Sequence, residues 1–174
     1  MTAAATVTAA AARADALAAD VLRLAVVRGA TVAVAESLTG GLVAGTLAGV
    51  PGISAVLRGG VVAYATELKT DLLGVDPALL AAGGPVQAEV ARAMAQGVAV
   101  RLSADIGVAT TGVAGPDPQD GRPPGTVFVA VHGPGHSRIE GREGATALSG
   151  DRAEVRWASV VLALELLTDA LRTG

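Results

Sequence analysis

The sequence predicts a single α/β domain built around a mixed β-sheet. Two uncharged β-type runs, 31–35 and 106–110, each lead into hydroxyl residues and glycines, a pattern typical of buried parallel strands that end at a ligand site. Segments with helical spacing of apolar residues separate the β-type runs. A later run, 125–131, is followed by a Gly133-Pro134-Gly135 turn, which indicates an antiparallel hairpin. The 174 residues are enough for one domain with a continuous core.

Composition excludes several classes of function. The formal net charge is -3, so the chain has no basic field for nucleic acid, and nucleic-acid binding is not expected. The absence of cysteine excludes a disulfide scaffold, a thiolate nucleophile and cysteine-bound zinc. His132 and His136 lie close together in a Gly/Pro-rich segment without a zinc-binding spacing, so neither a metal nor another cofactor is predicted.

The first twelve residues are almost entirely Ala and Thr, and we expect 1–12 to be a flexible segment before a single domain at 13–174. This start lacks the basic residues and leucine-rich core of a signal peptide. No run of about 18 strongly apolar residues occurs, so no membrane association is expected and a cytoplasmic location is predicted. Apolar residues at helical spacing predict a first helix over 13–28, which Gly29 ends.

The remaining elements follow from periodicity and from start and stop signals. After the strand at 31–35, residues 42–47 indicate a helix, and 59–65 indicate a second strand. Thr66 is the expected cap of a helix that runs to Leu73, and Asp76 with Pro77 opens a short helix. Further along the chain, the patterns predict a helix at 87–102, strands at 106–110 and 125–131, and an edge strand at 137–144.

The last helix begins at a capping-box pattern, Asp151 with Glu154, and extends to about Leu171. Its apolar residues occupy two stripes, so it is either buried on two sides or packed against another subunit. We expect the second arrangement and hence a homodimer or larger homo-oligomer. Arg152 and Arg156 share one face near the positive end of this helix, where they either pair with neighbouring acids or bind an anion.

The most informative stretch is the turn after the first strand. Glu36, Ser37 and Thr39 precede Gly40 and Gly41, which allow a ligand to come close to the backbone. The hydroxyls either cap the following helix or act on a ligand, and this stretch alone leaves both interpretations open. A second turn of the same kind, with Thr111 and Gly112, follows the 106–110 strand. Parallel strands expose their carboxyl ends on one side, so both turns are expected to face one pocket.

Five motifs follow one another along the chain: Ala35-Glu36-Ser37-Leu38-Thr39-Gly40-Gly41, 60–69 with Tyr64 and Lys69, 111–116, 124–127 and 149–152. Together they resemble the CinA C-terminal domain family, the PncC-type nicotinamide-nucleotide amidohydrolases. The similarity covers about residues 13–172. It implies a three-layer α/β/α sandwich with a mixed five-stranded sheet. It also implies hydrolysis of the carboxamide of nicotinamide mononucleotide (NMN) to nicotinate mononucleotide and ammonia, in pyridine nucleotide recycling. Gln87 and the loop 117–123 depart from the family pattern, which bears on substrate preference.

The resemblance assigns roles to residues. Ser37 would be the nucleophile and Lys69 its base, with Tyr64 as a relay for the proton. A free lysine has a pKa of about 10.4, so burial would have to lower this pKa by more than about three units to make Lys69 mostly neutral near pH 7; otherwise Lys69 is a charged partner.

The same resemblance implies the substrate contacts. The amides of Thr39, Gly40 and Gly41 would hold the oxyanion. Thr111 and Gly112 would line the pocket, and Arg152 or Arg156 would meet the 5′-phosphate. Glu36 would face the cationic pyridinium or else support Lys69 or the turn.

Two other classes of function stay open at this point. One is a non-catalytic domain that binds a mononucleotide or a partner protein, linked to competence or the DNA-damage response. The other is a serine hydrolase for a different small amide or ester. A phosphate-binding turn needs neither a serine nucleophile nor a tyrosine, so the set Ser37, Tyr64 and Lys69 favours an enzyme.

Overall fold

A computed structural model describes residues 2–134 and 136–173 and has a five-stranded mixed sheet. The strand order is β2-β1-β3-β4-β5. Strands β2, β1 and β3 are parallel, whereas β4 is antiparallel to β3 and β5 is antiparallel to β4. The strand bounds are β1 Val32–Glu36, β2 Leu57–Val62, β3 Ile106–Gly112, β4 Val127–Gly133 and β5 His136–Arg142. The predicted mixed sheet is therefore confirmed, and Gly135 of the predicted hairpin turn lies outside the described residues.

Helices cover both faces of the sheet and complete the expected three-layer α/β/α sandwich. One face carries α1, α2 and α6, whose apolar side chains form one core with β1, β3 and β4. The other face carries α3, α4 and α5, packed on a second core rich in alanine and valine. The helices are α1 Ala3–Arg28, α2 Leu42–Ala48, α3 Thr66–Leu73, α4 Pro77–Gly83, α5 Ala88–Arg101 and α6 Arg152–Thr173, with single 3-10 turns at Ile53–Ala55 and Gly144–Thr146.

Several predicted helix ends are confirmed by their hydrogen bonds. Gly29 ends α1 in the left-handed conformation, at φ 63°. The Asp76 carboxylate accepts from the Ala78 N–H at 2.8 Å and caps α4. Asp151 and Glu154 form both bonds of a capping box. Thr66 is the one cap that was wrong, because Ala65 holds that position and Thr66 is already helical.

The start of the first helix differs from the prediction. Residues 1–12 were expected to be flexible, but α1 begins at Ala3, where the Thr2 hydroxyl accepts from the Ala5 N–H. Alanine has the highest helix propensity of all residues, so this segment is helical without an apolar stripe of its own. The prediction followed the apolar periodicity, which begins only near residue 13.

Most of the apolar surface of α6 is covered within the chain. Leu162 and Leu166 of the first stripe and Leu164 and Leu167 of the second are all buried. The sheet covers one side of α6, and α1 packs along another. Trp157 and Val161 of the second stripe are only partly buried, so the buried leucines remove part of the reason for expecting a partner subunit on this helix.

Within residues 2–134 and 136–173, no helix is long and apolar enough to cross a membrane.

Candidate active site

The carboxyl ends of the three parallel strands meet at one edge of the sheet. Glu36, the last residue of β1, pairs with Val62 of β2 on one side and Thr110 of β3 on the other. The chain then enters the 37–41 turn, where the Ser37 N–H donates to the Thr110 carbonyl at 3.0 Å. The predicted convergence of the two hydroxyl-glycine turns is confirmed, and the segment after β2 joins them.

The Glu36 side chain holds the turn rather than facing a ligand. Its carboxylate is buried and accepts from the backbone N–H groups of Gly41 at 2.9 Å, Val43 at 3.1 Å and Ala44 at 2.8 Å. These are unpaired donors at the start of α2, where a negative charge is favourable. Of the roles considered for Glu36, support of the turn is the one that its hydrogen bonds show.

Ser37 and Lys69 are in contact. The Lys69 Nζ lies 3.3 Å from the Ser37 Oγ, 2.9 Å from the Ala63 carbonyl oxygen and 3.4 Å from the Tyr64 carbonyl oxygen. A neutral amine has two N–H donors and one lone pair. The ammonium form donates in all three contacts, whereas the neutral form, with its donors on the two carbonyls, turns its lone pair to the serine hydroxyl. The arrangement therefore suits a lysine that accepts the Ser37 proton.

Burial changes the acidity of this lysine. Lys69 is 1% exposed, the largest side chain among the fully buried ones that the structure describes. Loss of hydration lowers the pKa of Lys69 from 10.5 to about 8, although the negative charges of Glu67 and Asp120 act in the opposite direction. A pKa near 8 leaves about a tenth of the lysine neutral at pH 7.

Tyr64 is not connected to the serine through its hydroxyl. The Arg152 Nη2 donates to the Tyr64 Oη at 2.8 Å, and the Arg152 Nη1 donates to the Gly115 carbonyl at 2.8 Å. The contact between Lys69 and Tyr64 involves the backbone carbonyl of the tyrosine and not its hydroxyl. The expected proton relay through the Tyr64 side chain is therefore absent from the contacts seen here, and 56% of the tyrosine is exposed beside the cavity.

Arg156 lies against the 37–41 turn. Its Nε donates to the Leu38 carbonyl at 3.1 Å and its Nη2 donates to the Thr39 carbonyl at 2.8 Å. Arg152 lines the cavity beside Ser37, whereas Arg156 is not among the lining residues. Of the two candidates for a phosphate contact, Arg152 is the one that lines the cavity.

The backbone amides expected to bind an oxyanion are partly occupied. The Gly40 N–H donates to the Ser37 carbonyl at 3.0 Å, and the Gly41 N–H is held by Glu36. In the described part of the chain, the N–H groups of Leu38 and Thr39 have no acceptor. The N–H groups that are free to bind an oxyanion in this turn are thus those of the two residues directly after Ser37.

The end of β3 supplies another wall. Thr110 and Thr39 share a buried hydroxyl–hydroxyl bond of 2.8 Å, which ties β3 to the turn. Thr111 donates to the Pro85 carbonyl at 2.7 Å and lines the cavity with Gly112, as predicted.

The cavity itself is small, about 40 Å³. Sites for drug-sized ligands usually measure about 300–1,000 Å³, so only a small group of a larger molecule fits beside Ser37 here. Open grooves of about 470 and 460 Å³ elsewhere on the surface contain neither Ser37 nor Lys69. The cavity is lined by Ser37, Leu38, Tyr64, Lys69, Pro85, Val86, Thr111, Gly112, Ala114, Gln119 and Arg152.

Some lining residues were not identified from the sequence. Pro85 and Val86 precede α5, and Gln119 comes from the loop after β3; no local spacing connects them to Ser37. Gln87, which departs from the family pattern, does not line the cavity. Its amide nitrogen donates to the Leu79 and Gly84 carbonyls and holds the segment before Pro85.

The fold and this edge of the sheet define a class: a three-layer α/β/α domain with a buried lysine on a serine after the first strand. The family model of the CinA C-terminal domain matches residues 14–171. The chain therefore belongs to the CinA C-terminal domain family.

Curated relatives and solved structures agree with this assignment. The chain is 52% identical over 153 residues to a CinA-like protein of Frankia casuarinae and 48% identical over 155 residues to one of Gloeobacter violaceus. Each alignment covers 88% of this chain but only 34% and 36% of the relatives, so the chain spans about a third of their length.

Two crystal structures have the same fold. A CinA superfamily protein from Klebsiella pneumoniae matches with a TM-score of 0.86 at 30% identity, covering 92% of this chain and 99% of that one. A competence/damage-inducible protein from Agrobacterium tumefaciens matches with a TM-score of 0.86 at 36% identity, covering 92% of this chain and 96% of that one.

Proposed function

We propose that this domain is a cytoplasmic amidohydrolase that converts NMN to nicotinate mononucleotide and ammonia in pyridine nucleotide recycling. The observation that carries the proposal is the 3.3 Å contact between the Lys69 amine and the Ser37 hydroxyl, inside a cavity at the carboxyl edge of the sheet. The family resemblance supplies the substrate, and the contact supplies a means of activating a serine against an amide.

The reaction would proceed in two steps. Neutral Lys69 takes the proton of the Ser37 hydroxyl while the oxygen attacks the carboxamide carbon. The resulting ammonium then gives its proton to the departing nitrogen, the C–N bond breaks, and ammonia leaves an ester on Ser37. A water molecule attacks this ester by the same route and releases the nicotinate carboxyl group.

The size of the cavity indicates how NMN would bind. A volume of about 40 Å³ can take the carboxamide, whereas the ring, ribose and phosphate would lie towards the mouth unless the walls move. There the exposed ring of Tyr64 offers an aromatic face to the cationic pyridinium. Arg152 is the cation that lines the cavity and is the candidate for the phosphate.

A non-catalytic domain that binds a mononucleotide is the alternative. Such a domain would gain nothing from a lysine buried against a serine, because burial of the amine opposes its charge and the serine is not needed to hold a phosphate. The Ser37–Lys69 contact therefore favours the enzyme.

The test is ammonia release from NMN by the purified protein, compared with the Ser37→Ala variant. We expect the variant to lose activity by at least about 10³-fold and to keep its fold, since only one hydroxyl at a turn is removed. Ser54→Ala, at an exposed serine, is the matched control and should retain wild-type activity. Substantial ammonia release by Ser37→Ala would exclude the covalent mechanism.

A further inference from the structure

The three peptide groups that follow Ser37 each have a fixed carbonyl. The Ser37 carbonyl accepts from the Gly40 N–H, and Arg156 donates to the carbonyls of both Leu38 and Thr39. The two arginine bonds come from different nitrogens of one planar guanidinium, a geometry that fixes orientation as well as distance. The turn after the serine is therefore held from outside by a residue of α6, more than 110 positions further along the chain.

Fixing these carbonyls also fixes the N–H groups. In a trans peptide the C=O and N–H point in opposite directions, so the Leu38 carbonyl and the Thr39 N–H are set together. The Ser37 carbonyl and the Leu38 N–H are linked in the same way. Leu38 and Thr39 are the turn residues whose N–H groups have no acceptor in the described part of the chain, and Leu38 lines the cavity.

The sequence of the turn leaves space for the guanidinium. A Cβ on Gly40 would lie 3.3 Å from the Arg156 Nη2, a tight contact, and the residue has a positive φ of 61°. A glycine at this position thus allows both the conformation of the turn and the close approach of Arg156. Arg152, one helical turn earlier, instead reaches Tyr64 and Gly115.

We propose that Arg156 is a positioning residue, which holds the 38–39 peptide so that the free N–H groups of the turn can bind the oxyanion formed at Ser37. This inference rests on the proposed amide hydrolysis. Arg156 does not line the cavity and would act through the backbone of the turn. A cation bonded to the Leu38 carbonyl also polarises that peptide and makes the Thr39 N–H a stronger donor.

Kinetics of Arg156→Lys and Arg156→Gln test the proposal, with Arg172→Lys on the exposed end of the same helix as control. For Arg156→Gln we expect kcat for NMN to fall by about 10² with KM within a factor of about two, because a lost oxyanion donor costs about 10²–10³ in kcat. Lysine carries the charge but cannot span both carbonyls, so Arg156→Lys should be intermediate.

Nicotinamide riboside, which lacks the phosphate, separates positioning from phosphate binding. A positioning role predicts the same relative loss for the riboside as for NMN. A raised KM for NMN with unchanged riboside kinetics would mean that Arg156 binds phosphate, and would overturn the proposal.

Hydrogen exchange of the Gly40 and Gly41 amides, which are hydrogen-bonded within the turn, gives a readout that needs no substrate. In Arg156→Lys we expect these amides to exchange at least about tenfold faster than in the wild type, while exchange in α5 stays unchanged. Unchanged exchange in the turn would overturn the proposal even if the wild type hydrolyses NMN. If the wild type releases no ammonia, the proposed function fails, and the exchange data still decide whether Arg156 holds the turn.

Discussion

Lys69 shows how one buried side chain can combine a structural and a chemical role. Lys69 is a buried residue of α3, and its amine ends between the carbonyls of Ala63 and Tyr64 and the hydroxyl of Ser37. Because burial penalises the charged form, the folded protein holds this amine with a pKa of about 8 instead of 10.5. Unfolding would restore the higher pKa, so the burial opposes stability at neutral pH and favours a neutral base.

Substitution of Tyr64 separates a role in substrate binding from a role as proton relay. Its hydroxyl accepts from Arg152 and does not contact Lys69 or Ser37, so Tyr64→Phe should keep kcat within about threefold of the wild type and raise KM. Steady-state ammonia release with NMN measures both constants. A fall in kcat by about 10² or more with unchanged KM would restore the tyrosine as a proton relay.

At the scale of elements, the junction of β1 and α2 carries the site. Strand β1 ends in Glu36, and the turn that follows exposes Ser37. The Glu36 carboxylate accepts hydrogen bonds from the free N–H groups at the start of α2. The nucleophile is therefore placed by backbone bonds to a buried acid on one side and by Arg156 on the other.

We expect Glu36→Gln to destabilise the protein by about 3 kcal/mol, since the amide group offers one acceptor oxygen where the carboxylate satisfies three N–H donors. Urea unfolding gives the free energy of unfolding. Glu89→Gln removes an exposed acid paired with Arg92 and should change stability by less than about 1 kcal/mol. Equal stability of Glu36→Gln and the wild type would show that the carboxylate does not hold the turn.

Most elements were predictable because their signals are local. Apolar periodicity identified α5 and α6 to within one or two residues, and the Asp76 and Asp151 caps followed from residue type. The errors lie where two signals compete. The helix propensity of alanine extends α1 back to Ala3. Strand β2 begins at Leu57, before the glycines at 59 and 60 where its start was predicted.

The site was predictable only in part, since its contacts join distant segments. The turn residues Ser37 and Thr39 and the wall residue Thr111 could be identified from strand-turn patterns. The roles of Arg156 and Glu36 could not, because each depends on which backbone groups lie within reach after folding. No sequence spacing places Gln119 at the cavity.

For the whole molecule, self-association remains a prediction, although α6 is covered by the sheet and α1 of its own chain. We propose a homodimer or larger assembly and assign its interface to no face of the chain. Light scattering at micromolar concentration measures the mass directly. A mass equal to the 17.0 kDa of one chain would contradict the prediction.

The central claim is that a neutral Lys69 activates Ser37, and the pH dependence of kcat/KM for NMN tests it most directly. Because the pKa of Lys69 is lowered to about 8, the neutral fraction, and with it kcat/KM, should rise about tenfold from pH 7 to above pH 9 and then level off. Lys69→Arg should be nearly inactive at every pH, since a guanidinium does not deprotonate. A pH-independent wild type, or an active Lys69→Arg variant with only a raised KM, would contradict the account.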